Sequence, residues 1–142
     1  MSKKTLLLLM FSAMAFTPAA SIEGKWKTID DKTNQPKSIV EITKSGNTYV
    51  GKVVELLPAA TVTICEKCSG ANKNKPIKGM TILTGLTKIN DTDYENGKVF
   101  DPGSGNTYSG AAKLTRDGNT LTLRGYIGFK LLGRSQTWQR VQ

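Results

Sequence analysis

The feature that most narrows what this chain can fold into is the steady recurrence of turn chemistry between short stretches of alternating polarity. Asp30-Asp31-Lys32-Thr33-Asn34-Gln35-Pro36, Lys44-Ser45-Gly46-Asn47 and Asn90-Asp91-Thr92-Asp93 are rich in the residue types that reverse a chain. So are Asp101-Pro102-Gly103-Ser104-Gly105-Asn106 and Arg116-Asp117-Gly118-Asn119. Between them run segments such as Ser38-Ile39-Val40-Glu41-Ile42-Thr43 and Leu121-Thr122-Leu123-Arg124, which alternate with period two. No stretch sustains a helical period. Turns about every 8 to 12 residues around roughly eight strands mark an all-β barrel or sandwich. The short connections predict an antiparallel meander, and closure into an up-and-down, eight-stranded barrel removes exposed strand edges.

The chain has 142 residues. Lys3 and Lys4 precede an apolar run from Leu6 to Phe16 that ends in Pro18-Ala19-Ala20-Ser21. A basic start, a short apolar core and small residues at the end predict a signal peptide over residues 1–21, cleaved between Ala19 and Ser21. The run is short for a bilayer span, and no later stretch is long enough to cross a membrane. Residues 22–142 are then one domain, exported to the periplasm or secreted. The formal charge is +9 with no His. Basicity would suggest nucleic acid in a cytosolic protein, but export and the scattering of the lysines argue for none. A solvated basic surface, or attraction to an anionic envelope surface, remains. Without His the commonest general base and metal ligand are missing.

Residues 57–79 are too long for a hairpin connection, and they hold Pro58, Pro76, Cys65, Cys68 and Lys67, Lys73, Lys75 and Lys78. Long connections in small domains tend to be lids or mobile segments. Cys65-Glu66-Lys67-Cys68 has the spacing of a redox pair, yet no β-α-β pattern or helix start lies beside it. Zinc would need two further ligands. A disulfide in an oxidising compartment is the simplest reading. The residues after Gly125 are punctuated by Gly128 and Gly133, so Phe129-Lys130-Leu131-Leu132 is one helical turn at most.

Gly24, Trp26 and Thr28 share one face of the first strand, and Trp26 is expected to point inward. With Trp138-Gln139-Arg140 at the other end, Gly24-Lys25-Trp26 resembles the closure of lipocalin-type (calycin) barrels, where Trp packs under a terminal Arg. A longer resemblance, over nearly all of residues 22–142, is to domain-of-unknown-function family 2147 of exported bacterial proteins. It is carried by Gly24-Lys25-Trp26, Asp31-Lys32-Thr33 with Pro36-Lys37-Ser38, Cys65-Glu66-Lys67-Cys68 with Pro76-Ile77-Lys78-Gly79-Met80, Ile82-Leu83-Thr84-Gly85-Leu86, Gly97-Lys98-Val99 with Asp101-Pro102, and Arg124-Gly125-Tyr126-Ile127-Gly128 through Gly133-Arg134-Ser135-Gln136-Thr137-Trp138. Tyr94 stands where Trp is common in that pattern. The resemblance implies a lipocalin-like barrel in the envelope or outside the cell, and no established chemistry.

If Trp138 and Arg140 face the barrel floor, strand parity carries Gln136 and Arg134 up the same inward wall. An inward Arg needs a partner. Either a ligand carboxylate or phosphate supplies it, or Asp101, Glu41 or Glu55 forms a structural pair. Tyr108, Tyr126 and Arg124 complete the candidate ligand-binding set, and Tyr49 offers a further hydroxyl. Gly110, Ala111 and Ala112 leave room for a ligand or let strands approach closely. No catalytic constellation emerges from the paired carboxylates Asp30-Asp31 and Asp91-Thr92-Asp93. The leading expectation is a non-enzymatic, cofactor-free carrier of a fatty-acid-like or other amphipathic anion. The alternative is an envelope interaction or structural protein whose barrel is filled by its own side chains.

Overall fold

The computed structural model describes residues 20–129 and 133–142. Residues 1–19 of the expected signal peptide and 130–132 of the expected helical turn lie outside them. Eight strands follow one another: β1 (Gly24–Ile29), β2 (Pro36–Ser45), β3 (Thr48–Leu56), β4 (Thr81–Lys88), β5 (Asp93–Asp101), β6 (Asn106–Leu114), β7 (Thr120–Tyr126) and β8 (Gly133–Arg140). Each pairs with the next, and β8 returns to β1 through Trp26↔Arg140 and Thr28↔Trp138, closing an antiparallel barrel. The meander expected from the turns is therefore the fold. The segment after Gly79 is a strand whose register shifts twice against β3, with Gly85 at a φ of 72°, and Asp93 through Asp101 form one continuous strand. Asn96 makes this possible by taking a φ of 63°, with a register shift between Tyr94 and Gly97 that marks a bulge.

Alternation along the strands sends one set of side chains into the barrel, and its interior has two halves. One half is solid. Trp26, Ile42, Tyr49, Leu86, Tyr94 and Leu121 are all buried in a single cluster. Tyr49 meets Tyr94 edge to face, with ring centroids 5.4 Å apart. The glycines of β5 and β6 serve this packing: a Cβ on Gly97 would lie 2.7 Å from Leu86, and one on Gly110 would lie 2.6 Å from Val99. Of the two roles considered for the small residues around Gly110, close approach is the one realised there.

The solid half is capped by residues 21–26 together with Arg140. The Arg140 guanidinium lies 4.3 Å from the centre of the Trp26 ring. It donates to the carbonyls of Ser21 (2.5 Å), Gly118 (2.7 Å) and Glu23 (2.8 Å). Trp26 Nε1 donates to the Ile22 carbonyl at 2.8 Å, which holds the fully buried Ile22 across the barrel end. Gly24 has a φ of +128°, and a Cβ there would come within 2.8 Å of Arg140 Nη1. The glycine of Gly-x-Trp is thus the residue over which the guanidinium passes.

Candidate functional site

The other half of the barrel is hollow. Trp138 is cross-strand partner to both Thr28 and Leu121, one inward step along the wall from the Trp26–Arg140 rung. Above it opens a cavity of about 640 Å³, floored by Trp138, Thr28 and Leu123 and walled by Leu56, Ile82, Val99 and Phe100. That volume lies within the about 300–1,000 Å³ of small-molecule sites. A barrel filled by its own side chains would leave no such space.

Residues 57–79 form part of the cavity's cover through Ala60, Thr61, Val62 and Ile77. Leu57 N–H donates to the Lys37 carbonyl, and Gly79 N–H to that of Val53, anchoring both ends of the segment. Its two arms pair with each other through Cys65 N–H to the Lys75 carbonyl and Ile77 N–H to the Thr63 carbonyl. The Sγ atoms of Cys65 and Cys68 form a disulfide. Cys65 Sγ lies 3.6 Å from the Pro102 carbonyl, and a Cβ on Gly105 would collide with the Lys67 carbonyl. The clipped segment therefore rests directly on the β5–β6 turn. Its aliphatic side chains are what it offers to the cavity.

Polar groups gather at two levels. Near the floor, Thr28 Oγ1 and Ser38 Oγ share a hydrogen bond of 2.7 Å. Trp138 Nε1 donates to Gln136 Oε1 at 2.6 Å. An indole can only donate, so it fixes the amide with its oxygen turned away and its NH₂ left to other acceptors. Tyr108 adds a hydroxyl, which accepts a long bond from Asn106 Nδ2. At the mouth, Arg134 grips Asp31 with two nitrogens: Nε to Oδ2 at 3.1 Å and Nη2 to Oδ1 at 2.6 Å. This carboxylate is the chief cause of a raised guanidinium pKa. Beside it, Lys37 Nζ meets Asp30 Oδ2 at 2.5 Å. Asp30 Oδ1 also accepts the backbone N–H groups of Lys32 and Thr33. The Lys37 bond, then those two amides, hold the Asp30 carboxyl well below the usual carboxylate range.

Of the residues singled out from the sequence, Arg134, Gln136, Tyr108, Tyr126 and Trp138 border this one cavity. Two expectations need correction. The Arg134 counter-ion is Asp31, not Asp101, Glu41 or Glu55. Asp101 instead ties its own turn through Gly103 N–H and Ser104 Oγ. Arg124 is not among the cavity's residues: its register partner is Ser135, one step out of phase with Gln136, and Nη1 donates to Ser135 Oγ at 3.0 Å. Tyr49 belongs to the solid half, packed on Tyr94. The sequence reading missed Ser38, Leu56 and Phe100 as cavity residues. Alternation from Thr28, with Ser38 opposite it in the β1–β2 register, was the available signal for the first. Among the described residues no group of three or more His, Cys, Asp or Glu is placed to hold a metal ion.

Comparison with known proteins agrees with this architecture. A family profile described as "Uncharacterized protein conserved in bacteria (DUF2147)" matches residues 24–140. No curated protein matches the chain. Among solved structures, protein HP1028 from Helicobacter pylori, titled as belonging to the lipocalin family, superposes with a TM-score of 0.76 at 18% identity. The superposition covers 87% of this chain and 84% of that one. At that identity the likeness establishes a shared lipocalin-like fold.

Proposed function

The chain belongs to DUF2147, a family of uncharacterized bacterial proteins, and from that premise we propose that it is a non-enzymatic binding protein for a small amphipathic molecule. The observation that carries the reading is the cavity of about 640 Å³ in one half of a barrel whose other half is packed solid. Its walls are aliphatic and aromatic, suiting an apolar tail. The Gln136 amide, the Tyr108 hydroxyl and Arg134 at the mouth suit a polar or anionic head. A fatty acid or similar lipid-like anion has that division of character. The protein works outside the cytoplasm in this reading, in the periplasm or beyond. The basic, apolar N-terminal segment and the Cys65–Cys68 disulfide both support that placement.

Native mass spectrometry of the protein recovered from a bacterial envelope is expected to show a bound mass that denaturation releases. A dansyl-tagged fatty acid should then displace it, with enhanced and blue-shifted fluorescence. Failure to find any bound mass, together with no fluorescence change on adding the probe, would remove the carrier reading.

A further inference from the structure

We infer that Asp31 is a resident counter-ion, and that the head group of an anionic ligand takes its place on Arg134. The inference rests on the binding reading and specifies how its site would tell an anion from a neutral molecule. Three carboxylates (Asp30, Asp31, Asp101) and three cations (Lys32, Lys37, Arg134) border the cavity, so the mouth is formally neutral as it stands. An anion arriving there finds Lys37 and Arg134 already paired, with Asp30 and Asp31. It gains the two-nitrogen fork of Arg134 only by displacing Asp31.

The three carboxylates differ in how firmly they are held. Asp30 accepts from Lys37 and from two backbone amides of its own turn. Asp101 accepts from Gly103 N–H and Ser104 Oγ within its own turn. Among the described residues Asp31 has no such local bonds: its partner is Arg134, 103 residues away in sequence. Both members of that pair are accessible, at 36% and 67% exposure. The pair can therefore open into solvent without stranding a buried charge. Exposed pairs of this kind are individually weak, while a guanidinium fork binds a ligand carboxylate or phosphate in the same two-nitrogen geometry. Arg134 shares its inward face with Gln136 two residues along β8, so an oxygen drawn in from the mouth would pass from guanidinium to amide.

The test uses a dansyl-tagged fatty acid and its methyl ester, which differ only in the charge of the head, titrated by fluorescence against the full exported chain. Asp31→Asn is expected to tighten the acid by about fivefold, because both the competitor and its repulsion are gone, and to leave the ester unchanged. Arg134→Gln is expected to weaken the acid and leave the ester unchanged. In the unmodified protein, the Arg134 Nε–H resonance should shift on adding the acid and stay put with the ester. If both probes bind but Asp31→Asn leaves the acid-to-ester ratio where it was, or lowers it, the exchange is refuted and the pair is structural. An Nε–H resonance indifferent to the acid refutes it equally, without recourse to any variant. If neither acid nor ester binds the unmodified protein, the carrier reading falls, and this inference falls with it.

Discussion

Arg140→Ala isolates the contact that shuts the barrel. The side chain lies over the Trp26 ring at 4.3 Å and makes three hydrogen bonds to main-chain carbonyls from two distant parts of the chain. A cation–π contact of this kind is worth about 1 kcal/mol. Gly118 is buried, so its carbonyl loses a charge-assisted bond that water cannot easily replace, at a cost of about 1.5 kcal/mol. The bonds to Ser21 and Glu23 are partly exposed and count for less. Together the loss should be about 3 kcal/mol, a large share of the ~5–15 kcal/mol of a typical domain, yet short of unfolding it. The strand ladder itself persists, because Arg140 N–H to Asn119 and Val141 N–H to Lys25 involve only backbone. Urea denaturation followed by far-ultraviolet circular dichroism should show a lower midpoint with an unchanged slope. Arg140→Lys keeps the charge over the indole but not the planar fork that reaches three carbonyls, and should cost about half as much. An alanine variant within about 0.5 kcal/mol of the parent, or a lysine variant indistinguishable from it, would show that the latch does not fasten the barrel.

Gly24→Ala should lose about 2 kcal/mol in the same denaturation, since it forces a φ of +128° on a side chain and presses it against Arg140 Nη1. Gly125→Ala should fold normally, because a Cβ there meets nothing nearer than 3.6 Å, yet weaken the dansyl fatty acid by about threefold by occupying cavity space. A melting curve and a fluorescence titration separate the two effects. The Cys65–Cys68 bond closes only a three-residue separation, so reducing it should lower global stability by no more than about 2 kcal/mol. The dissociation rate of the probe, measured by stopped flow, should rise as the cover loosens. Melting temperature should be level between about pH 5 and pH 8, the chain having no His. Lys37 and local amides depress the Asp30 carboxyl, and Thr115 first and then Asn119 depress that of Asp117. Groups whose folded pKa is lowered contribute fully above the unfolded value near pH 4, and lose that contribution as the pH falls toward the folded one. Asp30→Asn should therefore flatten the acid limb of the melting profile.

The barrel was legible in the sequence because its evidence is local. A turn such as Lys44-Ser45-Gly46-Asn47 states where a strand stops, and alternation in Ser38–Thr43 states which side faces in. Closure was legible for a different reason. Few residue types can make a cation–π contact, and Trp26 and Arg140 stand near opposite ends of the domain. Alternation is less informative where the backbone is locally irregular: Asn96 takes a left-handed conformation within β5 and marks a bulge there. At Arg124 parity holds and was not applied: the residue alternates with the inward Leu121 and Leu123, which places it outside the candidate set. Its register partner Ser135 lies on the other side of the sheet from Gln136.

The site was half legible because strand parity gives the direction of a side chain and not its partner. Arg134 and Arg140 share one face of β8 and were indistinguishable on that ground. Their surroundings make them opposites. Arg140 is held by carbonyls of the main chain, which cannot leave without unpicking the N-terminal segment from the barrel end. Arg134 is held by a side-chain carboxylate on an exposed turn, which can swing away at small cost. The turn that supplies it, Asp30 to Pro36, is recognisable as a turn from its composition. Nothing in that composition says that one aspartate bonds inward to its own loop while the next reaches across the mouth to β8. The identical residue type at the two ends of one strand thus serves as a rivet in the packed half and as an exchangeable contact in the hollow half. The kind of acceptor decides which.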